Sequence, residues 1–351
     1  MTTVAVVGAG SWGTAVAGLC HRGASVVLWA RRPAIAEEVG RHHTNAAYLP
    51  GYCLPGTVRA TSDLEEAVSG ADVLVVGVPS HGLRAVLTAA APFVADGTPV
   101  VSLAKGVEQG TLLRMTEVVG EVLPASPAGV LTGPNLAKEV AAGQPAASVV
   151  AFSDLDLAEQ LMGVFGTPMF RVYTNDDVVG CELAGALKNV VAIAVGMAHG
   201  MGFGDNTKAS LITRGLAELS RIGVALGGRP LTFSGLAGLG DLVATCSSPQ
   251  SRNRTVGIAL GEGATIGQVV ADMKMVAEGV KTSQAVVELG RGLGLDLPIA
   301  EAVAGVCHDG WTATDALKSL LARGTGFEQD GIIESPRAAG PSAPVVPAAG
   351  R

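Results

Sequence analysis

Aromatic residues make up only 4% of this 351-residue chain and charged residues only 16%. No run of like charge and no CxxC pair occurs along it. Each scarcity excludes something. Without a basic block there is no electrostatic footprint for nucleic acid or an anionic lipid surface, and the formal net charge of -7 has the wrong sign for either. The five cysteines, Cys20, Cys53, Cys181, Cys246 and Cys307, are scattered and odd in number, so neither a disulfide framework nor a zinc site is expected. The best helix-like apolar run without a formal charge, 189–204, falls short of the ~20 residues that cross a bilayer and reads as a buried core helix. No basic segment stands before Val4-Ala5-Val6-Val7, which sets the expectation of no secretory signal and a cytoplasmic location.

What the chain has instead is aliphatic bulk and glycine. Hydrophobic residues reach 48% and there are 48 glycines, a profile incompatible with disorder. At roughly 150 residues per domain the length predicts two domains, each able to bury its own core. Up to residue 180, short β-branched runs at 3–7, 25–29, 73–78, 99–103 and 147–152 alternate with Ala/Leu/Glu segments. That pattern predicts a Rossmann-type, doubly wound α/β domain over 1–180, with helices at 12–21, 64–69 and 83–91. Beyond it, helix-length apolar segments at 178–201, 210–225, 236–245, 266–273, 281–289 and 299–307 predict an all-helical substrate domain over 181–330. A Pro/Ala-rich stretch, 331–351, is expected to be a disordered tail.

The first strand runs into Gly8-Ala9-Gly10-Ser11-Trp12-Gly13, a G-x-G-x-x-G directly before a predicted helix. Gly8 suits the tight turn, Gly10 the approach of a pyrophosphate, and Gly13 close packing of helix on strand. The second strand ends Ala30-Arg31-Arg32, without the acid that holds the ribose hydroxyls of NAD. Guanidinium groups pair well with phosphate, so NADP is favoured, with NAD as the alternative.

Four further segments set charge and glycine into apolar surroundings. Lys105 follows a buried strand, at the sheet edge where α/β proteins bind ligands. Lys188 lies in a helix apolar on nearly every face, where desolvation lowers its pKa and suits it to proton transfer. Asp241 either orients a lysine, holds a substrate hydroxyl or caps a helix. Arg252 and Asn253 make a candidate anion clamp. His81, just after the 73–78 strand, is placed near the expected cofactor.

Taken together, Gly-Ala-Gly-Ser-Trp-Gly at the start, Leu-Ala-Lys-Gly at 103–106, Gly-Pro-Asn-Leu-Ala-Lys-Glu-Val at 133–140, Glu-Leu-x-Gly-Ala-Leu-Lys-Asn-Val at 182–190, Gly-Leu-Gly-Asp-Leu-x-x-Thr-Cys at 238–246, Ser-Arg-Asn-Arg at 251–254 and Val-Ala-Glu-Gly-Val at 276–280 resemble the bacterial NAD(P)-dependent glycerol-3-phosphate dehydrogenases. The resemblance covers almost everything before the tail, in order. It implies reversible reduction of dihydroxyacetone phosphate to sn-glycerol 3-phosphate, a phospholipid precursor, with Lys188 as proton donor and acceptor and Lys105 touching substrate and cofactor. It further implies that Gly133, Asn135, Asp241, Ser251, Arg252 and Asn253 hold the substrate. Ser11, Trp12, Arg31, Arg32, Ala137, Arg252, Val276 and Glu278 would complete the cofactor site begun by Gly8, Gly10 and Gly13. Asn135 departs from the Ser or Thr common in the family, although an amide also donates a hydrogen bond. No metal, nucleic acid or membrane insertion is expected, and the apolar helical domain makes a homo-oligomer plausible. Another dehydrogenase of similar build, or a non-catalytic nicotinamide sensor, would share the glycine loop; the sensor would not need both lysines.

Overall fold

A computed structural model describes residues 2–272 and 277–324. Val276, the end of the predicted 266–273 helix and the predicted tail at 331–351 lie outside the described residues.

Eight strands form one sheet: β1 (Thr2–Val7), β2 (Ala24–Trp29), β3 (Val58–Thr61), β4 (Val73–Val76), β5 (Val100–Ser102), β6 (Ala128–Thr132), β7 (Ala146–Ala151) and β8 (Phe170–Asn175). Their order is β3-β2-β1-β4-β5-β6-β7-β8. The first six run parallel; β7 is antiparallel to β6, and β8 parallel to β7. The period of two within β1 explains why both faces must be covered. Val4 and Val6 pack with Val16 of the Ser11–Cys20 helix and Val39 of the Pro33–His42 helix. Ala5 and Val7 point to the other face, against Leu83 and Leu87 of the Ser80–Ala90 helix and Val118 of the Met115–Val122 helix. The order reverses at β1, which is flanked by β2 on one side and β4 on the other. This is the switch point where open α/β sheets bind ligands.

After Asn175 the described chain is helical. Asp177 caps the Val178–Gly200 helix, whose carboxylate accepts from the Gly180 amide at 2.8 Å. This helix is the axis of a second core, with Leu183, Leu187, Val191 and Ile193 packed against Phe233, Leu242, Val256 and Val303. At 23 residues it is long and apolar enough to cross a membrane, yet 94% of its most apolar window is buried inside the protein. The charge-free run seen in the sequence covers only its second half, because Glu182 and Lys188 interrupt the first.

Several elements depart from the sequence expectation. β3, β6 and β8 were not anticipated, nor was the Arg252–Gly261 helix, whose first turn reads as an exposed Ser-Arg-Asn-Arg loop. The expected 236–245 helix is divided. Leu236–Gly240 is a wide π-type turn in which the Gly240 amide donates to the Gly235 carbonyl at 3.1 Å, and a regular helix follows over Asp241–Ser247.

Candidate active site

The glycine loop joins β1 to the Ser11–Cys20 helix. Gly8 has φ +120°, and a Cβ there would sit 2.8 Å from the Gly77 backbone. A Cβ on Gly13 would lie 2.0 Å from the Gly8 carbonyl oxygen, so both positions are closed to any larger residue. Gly10 differs: nothing stands within 4 Å of where its Cβ would be, leaving free space at the positive end of the helix. Asn45 holds the loop from outside, its Nδ2 donating to the Ala9 carbonyl at 2.9 Å and to Thr14 Oγ1 at 2.8 Å. Ser11 Oγ donates to the Tyr48 carbonyl at 2.5 Å. The Trp12 indole N–H is buried without an acceptor. Beyond the end of β2, Arg31 and Arg32 are exposed, and the Arg32 guanidinium lies 5.1 Å from the Tyr48 ring centroid. Ala137 opens the Ala137–Ala141 helix, which packs against the Ser11–Cys20 helix. An open helix terminus, an indole N–H lacking an acceptor and two guanidinium groups fit a dinucleotide.

The second part of the site is a charge cluster. Lys105 follows β5, and its Nζ donates to Asp241 Oδ2 at 2.7 Å, Asn135 Oδ1 at 2.7 Å and the Gly133 carbonyl at 3.0 Å. Lys188 reaches the same carboxylate from the central helix: its Nζ donates to Asp241 Oδ1 and, at 2.6 Å, to Thr245 Oγ1. The Thr245 hydroxyl in turn donates to the Asp241 backbone carbonyl at 2.7 Å. One carboxylate thus bridges two ammonium groups, with Lys188 only 4% exposed and Asp241 2%. Burial pulls the Lys188 pKa down to about 8; Asp241 opposes that fall and Lys105 adds to it. The π-type turn sets Asp241 at the start of its helix, so its carboxylate is presented to both lysines. The Asn189 amide also donates, at 3.4 Å, to the Lys105 carbonyl. Asn135 Nδ2 is buried with no acceptor, a donor available to a ligand.

Between these parts lies a cavity of 220 Å³, lined by Tyr48, Ser80, His81, Arg252, Glu278 and Lys281 among others. The Glu278 carboxyl is pushed up by burial, against the influence of Arg252, Lys105 and Lys188 and a hydrogen bond from the Ser80 amide. Ser251 caps the Arg252–Gly261 helix, its Oγ accepting from the Arg254 amide at 3.2 Å. Asn253 Oδ1 accepts from the Gly279 amide at 2.9 Å, which orients the side chain and leaves its amide nitrogen as a donor. Lys105, Gly133, Asn135, Lys188 and Asp241 are therefore joined by direct contacts, and Arg252 and Glu278 meet at the cavity. Sequence reasoning assigned no role to Thr245, Tyr48 or Asn45. Thr245 had a signal, since it stands four residues after Asp241 and so on the same helix face. Among the described residues no three His, Cys, Asp or Glu side chains gather into a metal site.

A glycine-looped, mainly parallel sheet facing a lysine-bearing helical core across a cleft defines a dinucleotide-dependent oxidoreductase of two-part build. The chain belongs to the NAD-dependent glycerol-3-phosphate dehydrogenase family: the model of that family's N-terminus matches residues 3–158 and that of its C-terminus residues 177–318. A relative from Sphingopyxis alaskensis, named glycerol-3-phosphate dehydrogenase (NAD(P)+) 2, is 52% identical over 325 residues, covering 93% of this chain and 98% of its own. One from Streptomyces coelicolor, named glycerol-3-phosphate dehydrogenase (NAD(P)+), is 55% identical over 322 residues, covering 91% and 96%. Among solved structures, glycerol-3-phosphate dehydrogenase from Coxiella burnetii superposes with a TM-score of 0.87 at 37% identity, covering 92% of this chain and 99% of that one.

Proposed function

We propose that this chain catalyses the reversible reduction of dihydroxyacetone phosphate to sn-glycerol 3-phosphate, with NADPH favoured and NADH as the alternative, for glycerophospholipid synthesis. The observation that carries this reading is the Lys105–Asp241–Lys188 cluster at the carboxyl edge of the sheet, beside the glycine loop. Gly8, Gly10, Ser11, Trp12, Gly13, Arg31, Arg32, Lys105, Ala137, Arg252 and Glu278 hold the cofactor, which supplies the hydride when bound. As the ketone carbon is reduced, its oxygen gains charge. Lys188 delivers a proton to that oxygen from Nζ, and its pKa of about 8 lets it give and retake that proton near neutral pH. Lys105 keeps a positive charge beside the developing alkoxide. Asp241 holds both ammonium groups in place and compensates their charge before substrate arrives. Arg252 and the Asn253 amide nitrogen take the phosphate, with Gly133, Asn135 and Ser251 around it, fixing the ketone for attack.

Within this reading the enzyme is cytoplasmic, uses no metal, nucleic acid or membrane insertion, and forms a homo-oligomer, which light scattering of the purified chain checks. The activity is tested by following NADPH absorbance with dihydroxyacetone phosphate and, separately, with an α-keto acid. Consumption with the phosphate ester alone is expected. Cofactor binding without turnover, or turnover only with the keto acid, contradicts the assignment.

A further inference from the structure

We propose that Leu112 is a positioning residue for the catalytic cluster: its side chain seats the loop that carries Lys105 against the helix that carries Lys188, an inference that rests on reading those lysines as cationic partner and proton donor. Among the described residues two other than glycine have positive φ, His43 at 56° and Leu112 at 59°. His43 is the left-handed cap of the Pro33–His42 helix, a common ending. Leu112 lies instead in the connection between β5 and the Met115–Val122 helix, its amide closing a turn on the Glu108 carbonyl at 3.0 Å. Glycine or asparagine fills such a place at least cost, so leucine is strained there unless its side chain is held.

The helical part of the molecule holds it. Leu112 packs with Val107, Ala186 and Ala285, a group apart from the larger cores. Ala186 stands two positions before Lys188 on the Val178–Gly200 helix, while Val107 and Ala285 line the cavity, so Leu112 backs the cavity wall. Leu113 goes the other way, into the core between the sheet and the Ser80–Ala90 helix. Polar ties secure the far parts of the loop: the Glu108 carboxylate accepts from Arg84 Nε and Nη2, both at 2.8 Å, and Arg114 Nη1 reaches Glu182 at 3.0 Å. At the Lys105 end the tie to the Lys188 helix is the 3.4 Å bond from Asn189, too long to fix the loop alone. Apolar contact at Ala186 supplies the rest. Lys188 faces Asp241 and Cys246 of the Asp241–Ser247 helix, Lys105 of this loop and Glu278 of the Glu278–Gly292 helix. Of these, Lys105 is the group that Leu112 keeps in place, and its charge helps to hold the Lys188 pKa down.

The test follows reduction of dihydroxyacetone phosphate by NADPH against pH for wild type, Leu112→Ala, Leu112→Gly, Leu112→Met and Leu113→Ala, with melting temperature and NADPH binding read alongside. Leu112→Ala and Leu112→Gly are expected to lose about 10- to 100-fold in kcat, as displaced reacting groups do. In both, the pH at which the rate falls should move upward, since Lys105 no longer depresses Lys188. Leu112→Gly should melt above Leu112→Ala, because glycine accepts the left-handed backbone, yet be no more active. Leu112→Met keeps the bulk and should stay near wild type in both kcat and pH profile. Leu113→Ala, which empties the sheet core instead, should lower the melting temperature and leave the pH profile in place. A pH profile unmoved in Leu112→Gly overturns the proposal whatever happens to kcat, and so does one that moves as far in Leu113→Ala. Either failure leaves the reading of Lys188 standing; turnover retained by Lys188→Ala removes that reading and the proposal together.

Discussion

Lys188 is charged or neutral near physiological pH because of what surrounds a single side chain. Its helix buries it among aliphatic groups, and the resulting desolvation outweighs the pull of Asp241, giving a pKa of about 8. Reduction needs the protonated form, so its rate should be full well below pH 8 and fall as pH climbs through that value; oxidation needs the amine and should rise over the same interval. Asp241→Asn removes the influence that raises this pKa, so the descending limb of the reduction profile should move to lower pH, together with a fall in kcat. An unmoved limb would show that Asp241 does not set the charge on Lys188. At this scale much was legible in the sequence. A lysine amid Leu183, Leu187 and Val191 stands out by contrast, and so does Lys105 after a buried strand. The sequence could not show that one carboxylate serves both lysines, because Lys105 and Asp241 are 136 positions apart, or that the Asn253 carbonyl oxygen accepts from the Gly279 amide.

Two helices set the distance between proton donor and phosphate clamp. The Val178–Gly200 helix carries Lys188, and the Arg252–Gly261 helix carries Arg252 and Asn253 at its start. They touch backbone to backbone: a Cβ on Gly196 would lie 2.3 Å from the Arg254 carbonyl oxygen, and one on Gly257 would lie 2.1 Å from that of Ile193. Gly196→Ala must therefore displace one helix, at a cost of about 1–3 kcal/mol as overpacking. A lower melting temperature is expected together with a raised KM for dihydroxyacetone phosphate and a smaller effect on cofactor binding. A variant with normal stability and KM would contradict this account of the spacing. The Arg252–Gly261 helix was not legible because its polar first turn and internal glycines mimic a loop; it is stabilised by its neighbour rather than by propensity. β6 was hidden for a related reason. Gly129 weakens the strand pattern, yet a Cβ there would meet the Ala151 carbonyl oxygen at 2.3 Å, so the pairing with β7 demands glycine. β3 is short and β8 alternates exposed Arg171 and Tyr173 with buried Phe170 and Val172, and both are sheet edges, where apolar runs break up.

At the scale of the molecule, the sheet and the helical core must keep their relation for Lys105 and Lys188 to meet. Glu182, on the same helix as Lys188, is buried and accepts from the Thr116 amide at 2.9 Å, Thr116 Oγ1 at 2.6 Å and Arg114 Nη1 at 3.0 Å. These groups begin the Met115–Val122 helix on the sheet, so one carboxylate ties the two parts together. Burial pushes the Glu182 carboxyl up, and these donors oppose the shift. Glu182→Gln turns a donor toward donors, and denaturant unfolding should show a loss of about 1–3 kcal/mol; unchanged stability would mean the tie carries no weight. The outline of a doubly wound sheet followed by helices was readable from apolar periodicity alone, while this cross-connection was not, since it depends on how two cores dock. Proton transfer from Lys188 in the reduction of dihydroxyacetone phosphate is tested most directly by comparing wild type with Lys188→Ala under saturating NADPH, with NADPH binding measured in parallel. The expected result is a fall in kcat of about 10²- to 10⁴-fold with nucleotide binding retained. Turnover at the wild-type rate in Lys188→Ala would contradict it.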